Sequence, residues 1–209
     1  MARKIVCFDF DGVIAHTADI SFEVNRVYTP GLTREEYRRR FDGNIFDCGA
    51  VKELEKKYPT HIKDFFGIYG PKLMELPCAP GVPELVRGLA RRGYVLTIIS
   101  SSLRDLIARF LEKHDLAHHF ADILGAEEGR RKTHKLRAVC LKYSVSPKNC
   151  IMITDSLGDM REARRVCVPS IGVTGGVHPE ERLWLGEPYA VARNAKELFD
   201  FIEWYFGGF

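Results

Sequence analysis

A chain of 209 residues, 45% hydrophobic and 28% charged, can bury one core of ordinary domain size and is too apolar to stay disordered. A formal net charge of +3, with seven histidines counted neutral, is too small an excess to call for nucleic acid. No apolar run approaches the ~20 residues of a membrane span, and there is no internal repeat or low-complexity stretch.

The start, Met1-Ala2-Arg3-Lys4, leads into a short apolar stretch broken by Asp9 and Asp11, which is unlike a secretory signal. The expected location is therefore the cytoplasm. Cysteines 7, 48, 78, 140, 150 and 167 show no metal-type spacing and read as free thiols, with Cys7 and Cys150 inside apolar runs that imply burial. The basic clusters Arg38-Arg39-Arg40 and Arg130-Arg131-Lys132 read as solvated surface, except for Lys132.

Lys4 to Phe10 predicts a buried strand that Gly12 ends. From Ala15 to about Cys78 the patterning is helical, over Asp19–Tyr28, Thr33–Phe41, Asp47–Tyr58 and Ile62–Glu75. Thr33 with Glu36 forms a capping-box pattern. After Pro77-Cys-Ala-Pro-Gly81, Val82, Leu85, Val86 and Leu89 make a helix stripe, with Pro83 in the first turn. The chain then predicts a strand at Tyr94–Ser100, a helix at Ser102–His114, a short strand at Ala121–Ala126 and a helix at Thr133–Tyr143. A strand at Cys150–Thr154, a helix at Asp159–Val166 and strands at Ser170–Val173 and Tyr189–Ala192 follow. Asn194 caps a last helix to about Phe206.

Apolar strands alternating with helices predict an α/β fold whose parallel sheet is covered on both faces. The expected domains are a doubly wound core of residues 1–14 and 79–209 and an inserted helical cap of residues 15–78. Ligands in such sheets bind outside the carboxyl ends of the strands. Three of those ends carry polar groups. In Asp9-Phe10-Asp11-Gly12, strand alternation lets Asp9 and Asp11 share a side while Phe10 packs opposite. Two carboxylates so close repel unless a cation joins them, and an all-oxygen set suits Mg2+. A plain Asp-Gly turn is the bland reading of the same residues. Asp155 follows the strand Cys150–Thr154, and Asp159 lies four residues on, where it could equally serve the helix dipole. Ser100-Ser101-Ser102 supplies hydroxyls and free N–H groups for an anion, with Ser102 as the alternative N-cap over Asp105. Lys132, with Lys135 as its competitor, could steer a dianionic ester onto Asp9.

These pieces in this order resemble the haloacid dehalogenase superfamily, in its helical-cap, phosphoglycolate-phosphatase-like form. The likeness rests on Asp9-Phe-Asp11-Gly12-Val13, Ser100, Lys132 and Asp155-Ser-Leu-Gly-Asp159, and on the tail Ile171-Gly-Val-Thr-Gly-Gly-Val-His-Pro-Glu-Glu-Arg-Leu. The resemblance implies a Rossmann-like core and phosphomonoester hydrolysis of a small phosphorylated substrate. It implies Asp9 as nucleophile through an aspartyl phosphate and Asp11 as acid and base. Ser100, Ser101 and Lys132 would sit on the phosphoryl group. Mg2+ would be held by Asp9, the Asp11 carbonyl, Asp155 and Asp159. The expected form is a monomer or homodimer without a nucleic-acid or membrane partner. His16, Ser101 and Gly158 stand where relatives often have Asp, Asn and Asn, and Lys132 lacks a following proline. A phosphomutase and a catalytically silent binding protein are the alternatives. Phosphoglycolate, sugar phosphates and nucleoside monophosphates stay open as substrates, and Arg40 and Asn44 are weak candidates for touching the leaving group.

Overall fold

In the computed structural model the described residues are 3–58 and 61–207. They contain one sheet of six strands: β1 (Ile5–Phe8), β2 (Val95–Ile99), β3 (Phe120–Leu124), β4 (Cys150–Thr154), β5 (Ser170–Val173) and β6 (Ala190–Ala192). All pairings are parallel, in the order β3-β2-β1-β4-β5-β6. The chain winds outward from β1 to β3, returns to place β4 on the other side of β1, and winds outward again. The order reverses between β1 and β4, which is where a doubly wound sheet opens a ligand crevice.

Alternate strand residues feed two cores. Val6, Phe8, Leu96, Ile98, Ile151 and Ile153 face helices α5 (Val82–Arg91), α6 (Arg104–Lys113) and α10 (Ala195–Gly207). Ile5, Cys7, Ile99, Cys150 and Met152 face α7 (Lys132–Tyr143) and α8 (Leu157–Arg165). Every residue of β1 and β4 is buried, so these strands have no polar face. A short helix with no clear periodic signal in the sequence, α9 (Glu180–Trp184), packs Leu183 on Met160 and Val191.

Between β1 and α5 the described residues form helices α1 (Ala18–Tyr28), α2 (Arg34–Arg39), α3 (Gly49–Lys57) and α4 (His61–Glu75), and no strand. The one β-type contact there is an isolated bridge from Asp11 to Ala15. Thr33 and Glu36 form the expected capping box, but the helix they start is shorter than predicted. The two linkers lie side by side, with Ala79 N–H donating to the Ile14 carbonyl at 2.8 Å. Among the described residues no helix is long and apolar enough to cross a membrane.

Candidate active site

β1 ends at Phe8, and the next residue turns its side chain to the crevice. Asp9 N–H still donates to the Ile153 carbonyl at 2.8 Å, so its backbone is fixed by the neighbouring strand. Its Oδ1 accepts Phe10 N–H at 2.7 Å. Its Oδ2 lies 2.5 Å from Lys132 Nζ. Phe10 packs into the core edge-on to Phe110, and Asp9 and Asp11 both line one cavity, as strand alternation predicts. Asp11 is held by three hydroxyls. Thr17 donates to Oδ1 at 2.8 Å, Tyr69 donates to the same oxygen, and Ser102 donates to Oδ2 at 2.6 Å.

β4 delivers Asp155 to the same place. Its carboxylate sits between two glycines: a Cβ on Gly12 would fall 2.0 Å from Oδ2, and one on Gly176 2.1 Å from it. Gly12 also needs its positive φ of 75° for the turn. Val177 N–H donates to Asp155 Oδ2 at 2.7 Å. Asp159 reaches in from the first turn of α8, which Ser156 caps. Its Oδ2 accepts Lys132 Nζ at 2.5 Å and Thr154 Oγ1 at 2.9 Å.

Burial governs the charges here. It pushes Asp9 well above the ordinary carboxylate range, and the Lys132 ammonium only partly opposes it. Burial also raises Asp155 to about 7, against the pull of the Val177 N–H. For Lys132, burial alone would lower the ammonium, but Asp159 and Asp9 more than reverse that and raise it. Lys135 is lowered to about 8 by burial and by the Lys132 charge, and its Nζ donates to the Ser100 carbonyl at 2.5 Å. Lys132 is therefore the lysine that meets Asp9, and Lys135 holds the Ser100 turn.

Asp9 and Asp159 thus share one ammonium, and Asp155 lies buried in the same cavity without an ion-pair partner of its own among the described residues. That imbalance and the all-oxygen donor set fit a divalent cation. Among the described residues no three acidic, histidine or cysteine side chains are grouped closely enough to hold a metal ion by themselves. Mg2+ does not need such a group, since it keeps several waters and uses few carboxylates.

The other expected residues divide. Ser101 lines the cavity, whereas Ser100 is fully buried and its Oγ accepts Ser102 N–H at 2.9 Å. Ser102 is not the cap of α6. Leu103 occupies that position, and the Glu127 carboxylate takes the Arg104 N–H instead. Arg40 lies away from the cavity, buried on the Asn25 side-chain oxygen at 3.0 Å. Asn44 lines the cavity but spends its amide on the Arg130 carbonyl and the Glu162 carboxylate. His16 is exposed, near Gly175. Thr17, Tyr69 and Gly176 were not anticipated. The doubled glycine before Val177 was the one sequence signal for that group.

The cavity has a volume of about 320 Å³ and lies between the strand ends and the helical segment, with Tyr37, Phe46, Phe65, Phe66 and Tyr69 among its walls. The segment docks on the strand-end loops through polar contacts. Gly158 N–H donates to the Phe41 carbonyl at 2.8 Å, Arg161 donates to the Asp42 carbonyl at 2.6 Å, and Arg182 forms a two-point pair with the Asp42 carboxylate. Buried His178 accepts Leu157 N–H at Nδ1, 3.0 Å away, and meets the Arg38 carbonyl at Nε2.

Residues 6–173 match the family model described as haloacid dehalogenase-like hydrolase. The chain is 31% identical over 215 residues to a 5′-nucleotidase of Pseudomonas aeruginosa, covering 95% of each protein. It is 24% identical over 221 residues to a phosphoglycolate phosphatase of Vibrio vulnificus, covering 95% of this chain and 96% of that one. In fold it is similar to a predicted phosphatase from Clostridium acetobutylicum, with a TM-score of 0.78, 20% identity and coverage of 96% and 98%. A haloacid dehalogenase-like hydrolase from Streptococcus pneumoniae gives a TM-score of 0.77 at 18% identity, with coverage of 95% and 98%.

Proposed function

We propose that this chain, which belongs to the haloacid dehalogenase-like hydrolase family, is a Mg2+-dependent phosphomonoester hydrolase that works on a small phosphorylated metabolite through an aspartyl phosphate on Asp9. The phosphatase class rests on relatives that span nearly the whole chain. The observation that carries the chemistry is the contact of Asp9 Oδ2 with Lys132 Nζ at 2.5 Å, inside a buried cluster where the ends of β1, β2 and β4 meet.

Asp9 attacks phosphorus while Lys132 offsets the charge of the incoming phosphoryl group. Asp11 gives a proton to the leaving oxygen, then takes one from the water that hydrolyses the phosphoenzyme. Ser101 lines the phosphoryl end, presented by the buried turn of Ser100. Asp9, the Asp11 carbonyl, Asp155 and, directly or through water, Asp159 would hold Mg2+. When bound, that ion neutralises charge on the carboxylates and on the phosphoryl oxygens. Residues 15–78 act as a cap over a core of residues 1–14 and 79–209, and closing it excludes bulk water. The paired linkers at Ile14 and Ala79 and the helical character of the segment support that division.

The test is hydrolysis of acetyl phosphate and a panel of phosphomonoesters with Mg2+, with chelator, and by Asp9→Asn. Turnover that needs Mg2+ and vanishes in Asp9→Asn is expected. Full turnover in chelator would refute the metal assignment, and an active Asp9→Asn would refute the nucleophile.

A further inference from the structure

Two properties of the cavity beside Asp11 bear on what leaves with the alcohol oxygen. The first is charge. Among the described residues that line it, the cations are Lys132 and Arg130. Lys132 is committed to Asp9 and Asp159 at the phosphoryl end. Arg130 places its two terminal nitrogens on the Glu55 carboxylate, at 3.2 and 3.1 Å, and its guanidinium 4.7 Å from the ring centre of Phe46. Among the described lining residues, no positive charge is therefore left uncompensated. A carboxylate or second phosphate placed there would be desolvated without a partner and would meet Glu55.

The second property is the surface. Phe65 stacks on Tyr69 with centroids 5.4 Å apart and planes 18° from parallel. Phe66 stands edge-on to both, at 5.2 and 6.1 Å. Tyr69 is buried and its hydroxyl rests on Asp11, so this aromatic platform starts beside the group that would protonate the leaving oxygen. Phe46, Phe65 and Phe66 are each only partly covered by protein and line the cavity. About 320 Å³ is at the lower end of the ~300–1,000 Å³ typical of small-ligand sites. A two-carbon acid would leave these rings bare, while a flat ring would cover them.

Building on the phosphatase reading, we propose that the substrate is a phosphomonoester whose alcohol carries a flat aromatic ring and no carboxylate or second phosphate. Nucleoside 5′-monophosphates and pyridoxal 5′-phosphate share that chemistry; phosphoglycolate lacks it. The P–O bond to the alcohol breaks, the alcohol leaves with the Asp11 proton, and water ends on phosphorus.

The experiment compares kcat/KM, at saturating Mg2+, for AMP, UMP, pyridoxal 5′-phosphate, phosphoglycolate and glucose 6-phosphate, with acetyl phosphate, an acyl phosphate, as a small reference substrate. At least one ring-bearing ester should exceed phosphoglycolate and glucose 6-phosphate by about tenfold or more, the scale set by stacking one ring on an aromatic side chain. The nucleotide and pyridine arms tell the two sources apart. In Phe46→Ala and Phe66→Ala the ring-bearing ester should lose more kcat/KM than acetyl phosphate does, mostly through KM. Phosphoglycolate or glucose 6-phosphate as the best substrate, or equal losses for both substrates, overturns the proposal and leaves the phosphatase reading standing. No turnover of any of these compounds, acetyl phosphate included, overturns both.

Discussion

The backbone N–H of Gly158 donates to the carbonyl oxygen of Phe41 at 2.8 Å, which joins the first turn of α8, between Asp155 and Asp159, to the helical segment above it. A Cβ at Gly158 would fall 2.2 Å from the Gly43 carbonyl oxygen and 2.8 Å from that of Phe41. Both are backbone atoms and cannot swing aside. Gly158→Ala should therefore push the segment off the loop while α8 gains helix propensity. Overpacking typically costs ~1–3 kcal/mol, so kcat/KM for small esters should fall about tenfold. Faster amide exchange at residues 41–44, with Tm little changed, would locate the effect. Wild-type kinetics would show that this contact does not set closure.

Lys132→Met removes the one ammonium that Asp9 and Asp159 share. Loss of a donor aimed at developing charge typically costs ~10²–10³-fold in kcat. The variant should lose that much turnover, and Mg2+ should raise its Tm more than it raises that of the wild type. Lys135→Met should cost far less in kcat. The reverse ranking would exchange the two lysines' roles.

Tyr69→Phe keeps the stack on Phe65 and removes one of three hydroxyls on Asp11. A hydrogen bond contributes ~1 kcal/mol net, so kcat should drop about fivefold. If the hydroxyl orients Asp11 as the acid, the drop should be larger for an alkyl phosphate than for p-nitrophenyl phosphate, which needs little protonation. An equal drop for both would assign Tyr69 to packing alone.

Asp155 titrates at about 7 in the fold, raised from 3.8 chiefly by burial. Without metal, the folded state keeps a proton that the unfolded chain releases near pH 4. This group's contribution to stability is therefore full below about pH 4 and lost as pH rises through about 7. Protons and Mg2+ compete for the same carboxylate, so Mg2+ affinity should weaken steadily as pH falls below about 7. Calorimetric titration of Mg2+ from about pH 6 to about pH 8 checks this, and a flat affinity would contradict it. In chelator, Asp155→Asn should remove this part of the pH dependence of Tm.

The fold was largely readable because its strands lie between helices on both faces. Cys150–Thr154 and Ser170–Val173 are apolar or small throughout and have the observed bounds. Asp9, Asp11 and Asp155 stand out because a buried strand end has little structural need for them, whereas Asp159, in a first helical turn, could equally serve the helix dipole. Ser102 was harder. Its cap-like spacing to Asp105 is a local pattern, but its partner is Asp11, 91 residues away, and α6 is capped by Glu127. Tyr69 was invisible for the same reason: inside an apolar helical stripe, nothing local marks a hydroxyl that meets Asp11 58 residues back. Arg40 reads as surface in the sequence and is buried on Asn25, a contact between α1 and the residue that ends α2, which spacing along one helix cannot show.

In the proposed mechanism Asp9 carries the phosphoryl group and Asp11 moves the protons. Asp11→Asn keeps the side chain's size and removes the acid and base. With p-nitrophenyl phosphate the first step should still run, while hydrolysis of the intermediate should slow by ~10²–10⁴-fold, typical of lost acid–base help. Intact-protein mass spectrometry of Asp11→Asn after brief incubation with this ester and Mg2+ measures the outcome directly. The expected result is a gain of one phosphoryl group, mapped to the peptide that contains Asp9, together with a burst of one nitrophenol per enzyme. A label on Ser100, Ser101 or Ser102, or wild-type turnover with no labelled enzyme, would contradict it.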